Sequence, residues 1–478
     1  MFEFEFDDDA DDFDRRELDE TLKRFRDSYR SGEWQQGAPS AEALEMIVHY
    51  CLETQKFDDA LIFSQMWKDA APYSADAWHK YGIALSSVGQ WSEALDAYTK
   101  AADLDPVDVE ILVNRSIALE QTGKLEEAMH LIERALESEP DNADALYSKA
   151  MVFQKLERYD EAIKLFTYLS KNEQFTRDAL YELAFCLEST DRNAEALDIY
   201  ERLIDSDPFD SNAWFNKGVI FGRKGAHRKS IESYEMAVAI KADFVSAHYN
   251  MGNTYALIGK LDESIESYRE AMKHDAKDVA VLHNLATSLE ERGDFEEAIE
   301  LFTKVLEIDE RHVQSLYGRG TCCDALERYE AAVRDYDTAL AVSPDHADLW
   351  YAKGDAEYNL HHVDEALECY RKALTIEATD VECWFDYGAT LLEKGDLVES
   401  AKAFSEVVRL SPEWSDGYFA LAKVLTALNE LNTAATYLMR AISMDSTKGR
   451  DIEREFGSFA TEAGIEYLKS VISNSKKG

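Results

Sequence analysis

Residues 245–278 read VSAHYNMGNTYALIGKLDESIESYREAMKHDAKD, and this stretch decides the architecture. In its second half Ser264, Tyr268 and Ala271 stand at i, i+4 and i+7, one face of an α-helix. Twelve residues before Ser264, Gly252 lies on a second amphipathic run, where a small residue lets a neighbouring helix come close. Gly259 falls between the two runs, and glycine just past a helix end takes the left-handed conformation that closes it. The small marker residue recurs as Ala60, Ala94, Ala128, Ala162, Ala196, Ser230, Ser264, Ala298, Ala332, Ala366, Ser400 and Ala434. Each step is 34 residues, with no insertion or deletion, so the stretch is one copy of a twelvefold unit.

The other positions repeat in step. Four residues after the marker come Tyr98, Phe166, Tyr200, Tyr234, Tyr268, Phe302, Tyr336, Tyr370 and Phe404. Sixteen residues before it stands a large side chain such as Trp78, Leu112, Trp214, Leu316, Trp350 or Trp384. Six of the seven prolines (Pro72, Pro106, Pro140, Pro208, Pro344, Pro412) share one place past the second helix, where proline stops it. A 34-residue helix–turn–helix unit with these residues in this order resembles the tetratricopeptide repeat. That resemblance implies an all-α, right-handed superhelical solenoid of about twelve repeats over 41–448, with the first helix of each unit lining the concave wall. Residues 1–40 are expected to form an acidic arm with a short charged helix from Glu17 to Tyr29. Residues 449–478 are expected to form an amphipathic capping helix and a basic tail.

Composition narrows the function. The chain has 478 residues with 95 acidic against 51 basic side chains, a formal charge of −44. A field of that sign opposes nucleic acid. The longest run without Asp, Glu, Lys or Arg, Phe244 to Gly259, is studded with polar residues and is no membrane span. The six cysteines show no CxxC pair and read as reduced thiols, so the expected location is cytoplasmic. Cys323 shares its repeat position with Leu289 and Leu391 and is expected in the core, while His361 and His362 fall in the inter-helix turn.

No nucleophile motif, metal-ligand set, phosphate loop or dinucleotide fingerprint occurs, so no catalytic residue, metal or cofactor is expected. Paired carboxylates such as Glu126–Glu127 and Glu296–Glu297 sit at helix starts, where they favour the dipole. The binding candidates lie on the first helices instead. Position five of the unit carries Tyr147, Tyr181, Phe215, Tyr249, Tyr317, Tyr351 and Phe385, and position six carries Asn114, Asn216, Asn250 and Asn284. A carboxamide donates and accepts, so a stacked row of them pairs with an extended peptide backbone of any sequence. His248 to Asn253 and Leu282 to Ala286 resemble the asparagine-bearing repeats of O-linked N-acetylglucosamine transferases, whose ladder holds extended polypeptide. Here Asn is absent from eight of the twelve units, and no sugar-transfer domain follows. The chaperone-tail carboxylate clamp of the same fold is not matched: its middle Asn falls at Asn114, but the flanking clamp positions hold His79 and Ile83 before it and Asp144 and Ser148 after it.

These residues point to a non-catalytic scaffold or adaptor. Phe215, Asn216, Tyr249, Asn250, Asn253, His283 and Asn284 would make the central contacts with an extended protein segment. The second residue of the outer units is acidic (Glu42, Asp76, Glu110, Asp144, Asp178, Asp348, Glu382, Asp416), whereas Asn212, Ser246, Ala280 and Gln314 occupy the centre. That pattern suits a partner with basic flanks. Arg223, Lys224, Arg228 and Lys229 form the one dense basic turn, a rim for an anion or acidic partner. A targeting subunit for a separately encoded modifying enzyme and a self-assembling solenoid are the alternatives.

Overall fold

The computed structural model describes residues 23, 40–171 and 176–450, all of whose regular elements are helical. The chain divides into two compact units, 1–220 and 221–478. The first unit holds α1 (Ala41–Glu53), α2 (Phe57–Ala70), α3 (Ala75–Ser87), α4 (Trp91–Leu104), α5 (Val109–Gln121), α6 (Leu125–Ser138), α7 (Ala143–Lys155), α8 (Tyr159–Leu169), α9 (Thr176–Ser189) and α10 (Asn193–Ser206). It also holds most of α11 (Ser211–Arg223). The second unit continues with α12 (His227–Ile240), α13 (Val245–Leu257), α14 (Leu261–His274), α15 (Val279–Arg292), α16 (Phe295–Ile308), α17 (Val313–Ala325) and α18 (Tyr329–Val342). It ends with α19 (Ala347–Asn359), α20 (Val363–Ile376), α21 (Val381–Lys394), α22 (Leu397–Leu410), α23 (Ser415–Ala427) and α24 (Leu431–Met444). All of the expected helix at Glu17–Tyr29 except Lys23, and the capping helix from Asp451 onward, lie outside the described residues.

The periodic residues explain the packing. Eleven of the twelve markers are wholly inaccessible and Ala434 is 4 % exposed, so each pair of helices closes on a methyl or hydroxymethyl group. The aromatic ring four residues later lies against the small position of the first helix. A Cβ on Gly252 would come within 2.6 Å of the Tyr268 ring, and one on Gly354 within 2.6 Å of Tyr370. The small residue therefore admits a ring rather than a helix backbone. The large first-helix residue secures the junction between units: the indole N–H of Trp78, Trp214 and Trp350 donates to the carbonyl of Pro72, Pro208 and Pro344, at 2.9, 3.1 and 2.8 Å.

The inter-helix turn is more uniform than its residues. A backbone φ between +57° and +95° occurs at Gln55, Gly89, Gly123, Glu157, Asp191, Gly225, Gly259, Gly293, Glu327, His361, Gly395 and Asn429, one per repeat. His361 is thus a turn residue, and the neighbouring His362 Nδ1 lies 2.8 Å from Glu357 Oε2. All six cysteines are buried free thiols, Cys323 among them.

Within each unit, the close contacts between helices that are not sequence neighbours join first helices: α1 to α3, α3 to α5 and α5 to α7, then α13 to α15, α15 to α17, α17 to α19 and α21 to α23. First helices crowd together on one side of the stack. Side chains there meet across successive repeats, which makes that side the place to look for a site.

Candidate functional site

On the first-helix side, position five is half-buried and its ring leans on the second-helix aromatic of the same repeat. Ring centroids lie 5.6 Å apart for Tyr147–Phe166, 6.2 Å for Tyr181–Tyr200, 6.0 Å for Tyr249–Tyr268, 6.1 Å for Tyr317–Tyr336, 6.0 Å for Tyr351–Tyr370 and 5.4 Å for Phe385–Phe404. These tilted and edge-on pairs are a favoured aromatic geometry. Each of these six rings therefore spends part of its surface on its own repeat, and only the remainder faces outward.

Position six is tied backwards. Asn216, Asn250 and Asn284 each lie beside the hydroxyl of the tyrosine sixteen residues earlier, Tyr200, Tyr234 and Tyr268. Asn114 Nδ2 lies 2.9 Å from His79 Nε2 of the preceding repeat. The strongest cluster joins three central candidates, Tyr249, Asn253 and Asn284, to Tyr268 of the second helix. Tyr268 Oη donates to Asn253 Oδ1 at 2.6 Å, and Asn284 Nδ2 donates to the same oxygen at 2.9 Å and to Tyr249 Oη at 3.1 Å. His283 stays apart from it, with Nδ1 2.9 Å from Ser315 Oγ and its ring 5.1 Å from that of His312. Burial, with His312 second, holds the His283 imidazole down at about 4, so it is uncharged near neutrality. Phe215 and Asn216 belong to the first unit and the other five central candidates to the second.

Three repeats on, the same four places hold Tyr351, Asp355, Tyr370 and Asp386. Tyr370 Oη donates to Asp355 Oδ1 at 2.7 Å, and Tyr351 Oη donates to Asp386 Oδ2 at 2.6 Å. Burial first, and the Asp386 charge after it, push the Asp355 carboxyl up to about 7. Sequence reading ranked the amide set and passed over this carboxylate copy. The signal was present as Tyr followed sixteen residues later by Asn or Asp.

The four basic rim residues Arg223, Lys224, Arg228 and Lys229 are exposed around Gly225. Arg228 Nε meets Glu232 at 3.0 Å, and Lys229 lies over the Phe221 ring at 5.4 Å. A pocket of about 540 Å3 opens between α15 and α17, with His283, Glu290, Phe302, His312, Tyr317 and Gly318 in its wall. Among the described residues, Glu45, His49 and Asp76 bring ligand-type atoms within 4.8 Å of one another, with Glu45 exposed. No described helix is long and apolar enough to cross a membrane.

Family models for the tetratricopeptide repeat match residues 85–152, 189–244, 243–311, 278–345, 324–381, 351–413 and 415–448. A model for the anaphase-promoting complex, cyclosome, subunit 3 matches residues 121–203. No curated protein matches the chain. Among solved structures, the APC/C hetero-tetramer Cut9–Hcn1 is similar at 13% identity and a TM-score of 0.43, over 88% of this chain and 97% of that one. YrrB, described as a TPR protein with an unusual peptide-binding site, is similar at 24% identity and 0.35, over 38% and 94%. MamA 41-end from Desulfovibrio magneticus RS-1 is similar at 21% identity and 0.34, over 35% and 95%. Helix pairs in a fixed 34-residue register, matched by one family's models between residues 85 and 448 except at 153–188 and 414, leave one assignment: the chain belongs to the tetratricopeptide repeat family.

Proposed function

We propose that the chain is a non-catalytic scaffold that holds an extended protein segment along the first-helix side of its repeats. Family membership supports a protein–protein interaction scaffold. The finer reading rests on one observation, the half-buried row of amide and aromatic groups at positions five and six. Asn284 gives both amide hydrogens to its own chain, so its carbonyl oxygen is the group that accepts from a peptide N–H. Contact through backbone N–H groups is indifferent to the segment's side chains, which the neighbouring half-exposed rings then select. The acidic second positions toward either end favour basic flanks in the partner.

The test compares the full chain with its Asn216→Ala/Asn250→Ala/Asn284→Ala variant in capture from cell lysate across a salt series. Thermal melts run in parallel, because these asparagines lie beside buried tyrosine hydroxyls and Asn284 also ties Tyr249 to Asn253. A partner kept by the wild type through the series and released by a still-folded variant places binding on this side. Capture that the substitutions leave unchanged would overturn the reading.

A further inference from the structure

The pocket between α15 and α17 exists because the ladder misses a rung. Position six is Asn284 in one repeat, Gly318 in the next and Asp386 two repeats beyond that. With no side chain at 318, the Phe302 ring occupies the near space: a Cβ there would meet its Cζ at 2.5 Å. Beyond that ring the cavity of about 540 Å3 stays open. His283 lies 5.7 Å from Phe302 and 5.1 Å from His312, so three planar groups stand around one space, with the Tyr317 ring across from them. His283 Nδ1 is held by Ser315, and Nε2 has no hydrogen-bond partner among the described residues.

The charge facing this space is negative. Glu290 lines it half-buried, and its carboxylate receives a hydrogen bond from Thr321 Oγ1 but has no cation within ion-pair distance among the described residues. Burial raises its carboxyl, with the Glu291 charge adding to the effect. Burial also raises the Tyr317 hydroxyl, followed by the charges of Asp348, Glu290 and Asp355, all carboxylates. Among the described residues of the wall Arg311 is the one arginine or lysine, and it is exposed at the rim.

We propose that this pocket receives an arginine side chain of the protein segment held along the first-helix side, an inference that rests on the scaffold reading above. A guanidinium is flat enough to lie on the rings, and its fork pairs with a carboxylate at two points. An ammonium does neither as well, and an acidic side chain would meet Glu290. The uncharged His283 imidazole does not repel a cation, and its Nε2 can accept one of the five guanidinium hydrogens.

Two probes test this on the full chain. The first is Nα-acetylarginine amide, followed through the His283 and His312 ring signals by NMR, with the lysine and glutamate analogues as comparators. The expected order is arginine, then lysine, with no binding of glutamate. Glu290→Gln, which keeps the bond from Thr321, should weaken the arginine probe about tenfold. Arg311→Ala should tighten it, because it removes the only opposing charge. Equal binding to Glu290→Gln, or tighter binding of the glutamate analogue, overturns the arginine assignment. The second probe is a random-peptide phage library panned on the chain. Peptides that depend on Asn250 and Asn284 and carry an arginine at a fixed place support both readings. Peptides that depend on those asparagines but lack a fixed arginine overturn the pocket while the scaffold reading stands. If no selected peptide depends on them, the scaffold reading fails and the arginine inference goes with it.

Discussion

One residue shows how much a local substitution can matter in a repeated frame. Asp355 stands where Asn253 stands three repeats earlier, under the same tyrosine hydroxyl. The asparagine oxygen accepts from Tyr268 and Asn284, whereas the aspartate faces Asp386 across the equivalent gap, with Asp324 and Asp380 also acting on it. Its carboxyl therefore sits at about 7 in the folded chain, against about 3.9 when unfolded. Because the folded value is the higher one, the native state binds the extra proton. The stability this proton contributes is full below about pH 4, falls as pH rises through about 7, and is then gone. Asp355→Asn should remove that slope and leave the protein about 1–3 kcal/mol more stable above pH 7 than the wild type. Urea melts of both proteins at several pH values between 4 and 8 check this, and parallel curves would show that Asp355 is not the group responsible. The candidate asparagines were legible in the sequence as a row, but their partners were not. The Tyr200–Asn216, Tyr234–Asn250 and Tyr268–Asn284 neighbours cross between repeats, and reading them requires pairing position six with the second helix of the unit before.

At the scale of the helical elements, the sequence was most informative where a fixed residue type does one job. The marker residues placed all the second helices, whose starts run from Phe57 through Leu261 to Leu431 in steps of 34. The turns were half legible, because six glycines announce the left-handed residue and the other six turns impose it on Gln55, Glu157, Asp191, Glu327, His361 and Asn429. A side chain there costs roughly 1 kcal/mol, because its Cβ crowds the following carbonyl. Glu327→Gly and His361→Gly should each stabilise the chain by about 0.5–1 kcal/mol, and Gly293→Ala should lose a similar amount, all read from denaturant midpoints. A second prediction concerns the ring beneath the first helix. Gly354→Val would drive a side chain into Tyr370, whose ring already lies 2.6 Å from the added Cβ, and should cost about 1–3 kcal/mol. The companion Tyr370→Ala should relieve part of that clash. Additive losses in the double variant would show that ring and glycine are not in register. The pocket beside Gly318 escaped the sequence reading for the opposite reason: it is created by a side chain that is missing from the row.

For the whole molecule, the question is which electrostatic effect governs a chain with a formal charge of −44. Several of its few cations act between repeats. Arg292 reaches Asp262 at 2.7 Å, Arg269 reaches Glu297 at 2.7 Å, Lys394 reaches Asp364 at 2.6 Å, and Arg328 pairs with Glu296. These pairs are substantially exposed, and pairs of that kind contribute about 0–1 kcal/mol each. Against them stand 95 acidic and only 51 basic side chains, so even full pairing would leave 44 carboxylates without a cation. Repulsion among unpaired carboxylates extends over a Debye length, about 30 Å at 0.01 M salt and about 8 Å at 0.15 M. Salt screens both effects, but the long-range one loses more, because it sums over many pairs beyond contact distance. Raising sodium chloride from about 0.01 to about 0.15 M should therefore raise the melting temperature of the full chain, with little change above that. The same increase should weaken any partner held through basic flanks, since that attraction uses the same field. Stability rising while affinity falls, measured on one preparation across one salt series, is the expected signature. A melting temperature that falls with salt would mean that the inter-repeat ion pairs outweigh the net charge, and stability would then depend on Arg269, Arg292, Arg328 and Lys394 individually.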